Sequence, residues 1–78
     1  MKKRRSNDIL ISCGQEIRYY RKQKGLTQEQ ISELLDMDFS QYGKIERGLT
    51  NITLSTLSDI AVVLDVAPAY LLKDSSKS

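Results

Sequence analysis

The sequence predicts an all-α domain of five short helices in a compact arrangement. Three observations carry this. Apolar residues recur three or four positions apart in every long segment, no stretch alternates with period two, and the single proline, Pro68, leaves everything before it free to be helical. A chain of 78 residues has room for one hydrophobic core. Its one cysteine, Cys13, rules out a disulfide framework. That thiol, with no histidine anywhere, cannot close a zinc tetrahedron. No metal or cofactor is expected, and Cys13 reads as a small apolar residue. Stability must then come from regular helix packing, with help from a partner subunit.

The first helix is expected over 8–24, with Leu10, Cys13, Gly14, Ile17 and Tyr20 or Arg21 along one stripe. Gly25 ends it as a left-handed cap after a basic last turn. Thr27 caps the second helix, 28–35, and Gln30 completes a capping box, with Leu26 and Ile31 as a hydrophobic staple. Asp38 repeats that scheme for the third helix, 39–47, with Gln41 as its box partner and Met37 facing Tyr42. Thr53 caps the fourth, 54–64, with Ile52 and Leu57 as staple. Pro68 occupies the first position of the fifth, 68–73, with Val66 reaching Leu71. Residues 1–7 are expected as a basic flexible tail and 74–78 as a second one, which leaves 8–73 as the folded domain.

Charge is unevenly placed. Residues 1–25 hold eight Lys/Arg against two acids, +6, and residues 26–78 hold four against eight, −4, which together give the net +2. Such asymmetry points to a polyanion meeting one end of the molecule. There is no apolar run of 18 residues and no signal-peptide pattern, so a soluble intracellular protein without a membrane segment is expected.

Between the second and third helices stand only Asp36, Met37 and Asp38. Helices joined that tightly cross steeply and project the second of them outward, as in a helix-turn-helix. At about 100° per residue, Tyr42 and Ile45 form the core edge of the third helix, while Phe39, Ser40, Gly43 and Lys44 share the opposite arc. An aromatic ring, a hydroxyl, a glycine costing about 1 kcal/mol against alanine and one cation are not what helix stability alone selects. They suit a DNA major groove. Lys44 is placed for a guanine edge or a phosphate and Ser40 for a base or phosphate. Phe39 can meet a thymine methyl or pack on the second helix. Gly43 allows close approach of DNA backbone or of another helix. Thr27 and Gln28 open the second helix, where free N–H groups favour a phosphate. Glu46 opposes the dipole of its own helix and so calls for a cation, Arg21 or Arg18. A partly buried Arg21–Glu46 pair tying the first helix to the third is expected.

The runs Gly25-Leu26-Thr27-Gln28-Glu29-Gln30-Ile31 and Tyr42-Gly43-Lys44-Ile45-Glu46-Arg47-Gly48, followed by Leu54 to Val66, resemble the Cro/phage-repressor type (XRE) helix-turn-helix family. The resemblance covers about Cys13 to Leu72. It implies a lambda-repressor-like five-helix domain that binds operator DNA as a homodimer and regulates transcription in the cytoplasm of bacteria, on the nucleoid when bound. Carried across, it places base reading on Phe39, Ser40 and Lys44, with Gln41 and Gly43 nearby. Phosphate contacts fall on Gln28, Thr50, Asn51 and Thr53, and the helix-tying pair on Arg21 and Glu46. Two positions depart from the family pattern: Asp36 stands where glycine is usual in the turn, and Phe39 where a polar side chain is common.

A regulator, repressor or controller of nearby genes, is therefore expected. Its pseudo-palindromic operator would be read by a dimer formed through Val62, Val66, Ala69, Tyr70 and Leu72, with Val63 on the same surface. A protein-interaction role, as an antitoxin or adapter with a protein partner, is the alternative. An enzyme is not expected, since no base and nucleophile can be paired.

Overall fold

The computed structural model describes residues 6–72 and is helical throughout its regular structure: α1 (Ser6–Gln23), α2 (Gln28–Leu34), α3 (Phe39–Glu46), α4 (Leu54–Leu64) and α5 (Pro68–Leu71). The helix α1 begins two residues inside the stretch expected as tail, and the expected boundaries of the others hold to within two residues. Residues 1–5 and 73–78, which carry the rest of both expected tails and the expected end of the fifth helix, lie outside the described residues.

The order of the caps explains the boundaries. The Thr27 hydroxyl oxygen accepts from the Gln30 backbone N–H at 3.0 Å, and the Gln30 side chain accepts from the Thr27 N–H at 2.9 Å. Thr53 caps α4 by accepting from the Thr56 N–H at 3.1 Å. Pro68 opens α5. All four residues just ahead of the caps, Leu26, Met37, Ile52 and Val66, pack against the core that contains their expected partners Ile31, Tyr42, Leu57 and Leu71. The capping box expected at Asp38 does not form. No side-chain bond caps α3, and the Asp38 carboxylate instead accepts the Ser40 hydroxyl at 2.6 Å, which holds that carboxyl below its usual range. The Ser40 hydroxyl, two residues on, is the donor that the ionised carboxylate takes in place of a backbone N–H of the first turn.

Four helix ends close in the same way. A left-handed residue, Gly25, Asp36, Gly48 or Asp65, lets the next N–H reach five residues back: Leu26 to Arg21, Met37 to Ser32, Leu49 to Lys44, and Val66 to Ala61, at 2.9–3.1 Å. Asp36 (φ 53°) and Asp65 (φ 60°) adopt this conformation without glycine's freedom. A non-glycine residue there costs about 1–2 kcal/mol, of which glycine's greater unfolded-chain entropy returns up to about 1. Asp65→Gly is thus expected to stabilise the domain by about 0.5–1 kcal/mol, read as a higher denaturant midpoint with an unchanged slope.

The core is a single cluster. Cys13 and Ile17 from α1, Ile31 from α2, Tyr42 and Ile45 from α3, Leu57, Ile60, Ala61 and Leu64 from α4, and Leu71 from α5 are all buried. Cys13 is a free buried thiol, pushed up from its ordinary pKa by burial and then by Glu16. Of the stripe expected along α1, Cys13, Gly14, Ile17 and Arg21 are buried and Tyr20 packs against the core, while Leu10 is half-buried. Gly14 within this stripe lets α1 and α3 approach backbone to backbone: a Cβ built there would lie 2.3 Å from the Glu46 carbonyl oxygen and 2.6 Å from that of Ile45.

Candidate nucleic-acid interface

A buried polar hub sets the position of α3. Glu46 and Arg21 are each only 7% exposed. The Arg21 guanidinium forks onto the carboxylate, Nε to Oε2 at 2.5 Å and Nη2 to Oε1 at 3.4 Å, while Nη1 donates to the Leu26 carbonyl at 2.8 Å. The Tyr42 hydroxyl donates to Glu46 Oε2, and the Gln28 amide donates to Oε1 at 2.9 Å. One carboxylate thus gathers donors from α1, α2 and α3. Burial would push the Glu46 carboxyl up, but the bonds from Arg21, Tyr42 and Gln28 outweigh it and hold the group below its usual range. Burial first, then the bond to Glu46, pushes the Tyr42 phenol far up, so it remains a donor. Among the described residues no buried side-chain N or O lacks a partner.

Gln28, expected to face a phosphate, spends one amide N–H on Glu46; its second has no partner among the described residues. The link joins residues 18 apart in sequence, and no local pattern announces it. Thr27 keeps its hydroxyl proton while its oxygen caps α2. Thr53 is more fully committed, since its hydroxyl caps α4 and also donates to the Thr56 hydroxyl at 3.0 Å. Asn51 is exposed and Thr50 half-buried on the loop before α4.

On α3 the core edge is Tyr42, Ile45 and Glu46, and the outward arc presents Phe39 (50% exposed), Ser40, Gln41 and Lys44 to solvent. Gly43 is the exception. It is buried, and the three atoms nearest to a Cβ built on it all belong to Arg47. It therefore offers no open surface. Arg47, absent from the expected reading residues, falls at about 80° on the same helical projection, midway along the outward arc. Carrying the wheel one residue beyond Glu46 would have found it.

The expected dimer residues divide. Val62 is 77% exposed, and Ala69, Tyr70 and Leu72 are exposed as well, but Val66 packs against the core and so does Val63. Both valines are half-buried, Val66 as the staple residue ahead of α5 and Val63 against the core, so each has less surface to offer than Val62. Leu54, 80% exposed and two helical turns before Val62, was not expected there.

A helix-turn-helix family model matches residues 17–71. This chain belongs to the XRE-type helix-turn-helix family. It is 35% identical over 72 residues to the control protein C.MunI of Mycoplasma sp, covering 91% of this chain and 97% of that one. Against HTH-type transcriptional regulators of Sinorhizobium medicae and Rhizobium meliloti, 33% identical over 73 residues, the chain spans about half of their length (52%). Its fold is similar to the crystal structure of the restriction-modification controller protein C.AhdI from Aeromonas hydrophila (TM-score 0.75, 39% identity, 80% of this chain and 94% of that one). It is similar also to the biofilm master regulator SinR in complex with DNA (TM-score 0.73, 37% identity, 78% and 98%). The all-helical, five-helix XRE fold expected from the sequence is the fold observed. Among the described residues no helix is long and apolar enough to cross a membrane.

Proposed function

We infer that this chain is a sequence-specific DNA-binding transcriptional regulator, a repressor or controller of nearby genes, that places α3 in the major groove of its operator. The observation that carries this is the outward arc of α3. Phe39, Ser40, Gln41 and Lys44 stand uncovered on a helix whose opposite edge is fixed by a buried four-bond hub. Similarity to controller proteins and to a DNA-bound regulator supports the same reading. Lys44 and Ser40 read base edges, and Phe39 meets a thymine methyl. The remaining amide proton of Gln28, the Thr27 hydroxyl, and Thr50 and Asn51 before α4 serve phosphates. Thr53 contributes by holding the start of α4.

Two copies pair through α4 and α5, where Leu54, Val62, Ala69, Tyr70 and Leu72 are exposed apolar residues. A symmetric dimer reads a pseudo-palindrome with half-sites about 10 bp apart. The setting is a bacterial cytoplasm, with the protein on the nucleoid when bound.

Affinity for a random duplex is expected to fall at least about tenfold between 50 and 200 mM salt. Gln28→Ala weakens every sequence alike, whereas Lys44→Ala changes which sequence is preferred. Fluorescence anisotropy on labelled duplexes measures both. Salt-insensitive binding, or none, contradicts the reading.

A further inference from the structure

Glycine at position 43, inside α3, costs about 1 kcal/mol against alanine in a helix. Its seat shows what that cost secures. A Cβ at Gly43 would lie 3.1 Å from Arg47 Nη1, 3.9 Å from Cζ and 4.0 Å from Nη2. Helical side chains lean toward the N-terminus, so Arg47, rooted just past the last turn, lays its head back across the turn before it. The absent Cβ leaves a flat bed for the guanidinium. Among the described residues no carboxylate lies within ion-pair distance of Arg47, in contrast to buried Arg21. An exposed cation with no ion-pair partner among the described residues therefore lies over Gly43 on the outward arc, in projection between Gly43 and Ser40.

We propose that Arg47 is a specificity-determining residue, its guanidinium held over Gly43 so that two parallel N–H groups meet the O6 and N7 acceptors of one guanine. This rests on the reading that α3 enters the major groove. Lys44 on the same arc can offer only a single ammonium, without the planar fork that matches two acceptors at once. Arginine on guanine is the commonest specific major-groove contact, and a pre-placed fork loses little freedom on binding. Gly43 then acts as a positioning residue that works through Arg47 and touches no base.

The test uses the full chain and the operator recovered by selection from random duplexes, with each base pair varied in turn. Arg47→Ala is expected to lower operator affinity about ten- to hundredfold and to erase the preference for guanine at one symmetric pair of positions. Arg47→Lys keeps the charge, and with it the non-specific affinity, but loses the same preference. Gly43→Ala is expected to weaken operator binding without lowering the melting temperature, and to add nothing in the Arg47→Ala background. Equal weakening on every duplex by Arg47→Ala, with Arg47→Lys restoring binding, would make Arg47 a phosphate cation and overturn the guanine assignment. Unchanged binding by Arg47→Ala would remove it from the interface while Lys44 still reads. A Gly43→Ala effect of equal size in both backgrounds would overturn the seat. A parent chain without any sequence preference would sink the reading of α3, and this inference with it.

Discussion

Glu46→Ala is expected to cost the domain about 3–5 kcal/mol, a large part of the stability of a small protein. The loss does not measure the attraction between two charges, because placing both in the interior already cost desolvation. It arises from what remains: Arg21 stays buried with Nε and Nη2 lacking their acceptor, and the Tyr42 hydroxyl and the Gln28 amide lose theirs. Glu46→Gln keeps the shape and one acceptor oxygen, so its loss is smaller. The same group predicts a pH dependence. Its folded pKa lies below the ordinary value of a glutamate carboxyl, so its contribution is complete above the unfolded pKa. As pH falls through the depressed folded value, that contribution is lost. Parent stability should therefore drop on acidification below about pH 4.5, and Glu46→Gln should flatten this part of the profile. Urea unfolding between neutral and acidic pH checks both, and a variant with the parent's acid slope would show that Glu46 does not carry it.

Gly14→Ala is the second large effect, and its sign runs against helix propensity. In an isolated helix alanine gains about 1 kcal/mol over glycine. Here the added methyl would meet the Glu46 carbonyl oxygen at 2.3 Å, the Ile45 carbonyl oxygen at 2.6 Å and the Glu46 carbonyl carbon at 2.8 Å. These are backbone atoms and cannot turn aside as a side chain can. α1 and α3 must separate, which costs about 1–3 kcal/mol or more beyond the propensity gain. A melting temperature lower by about 10 °C is expected. Moving the Glu46 backbone also disturbs the hub that orients α3, so DNA affinity should fall more than the folded fraction accounts for. A Gly14→Ala variant as stable as the parent would show that the two helices are not in backbone contact.

What could be read from the sequence follows the range of each interaction. Capping boxes, staples and left-handed stops span three to six residues, so Thr27 with Gln30, Leu26 with Ile31, and Gly25 were legible, as was the left-handed tolerance of Asp36. The Arg21–Glu46 pair was legible for another reason: an acid in the last turn opposes the helix dipole and calls for a distant cation. The second donor from another helix, Gln28, was not, because its bond depends on how α2 settles against α3. At Asp38 two local rules competed, and proximity of the Ser40 hydroxyl won over the capping box. Gly43 sits at the right angle to face outward, and only the reach of the Arg47 side chain covers it. Val66 shows the opposite limit, since one apolar residue can serve as a staple or as a partner surface and the core claims it here.

The most direct test of the central claim is selection of bound sites from a random duplex pool with the parent chain and with Lys44→Ala and Ser40→Ala. The expected result is a pseudo-palindrome with half-sites about one helical turn apart, in which each variant relaxes a symmetric pair of positions and leaves the spacing unchanged. The same motif from parent and both variants, or no enrichment at all, would mean that the outward side of α3 does not read DNA.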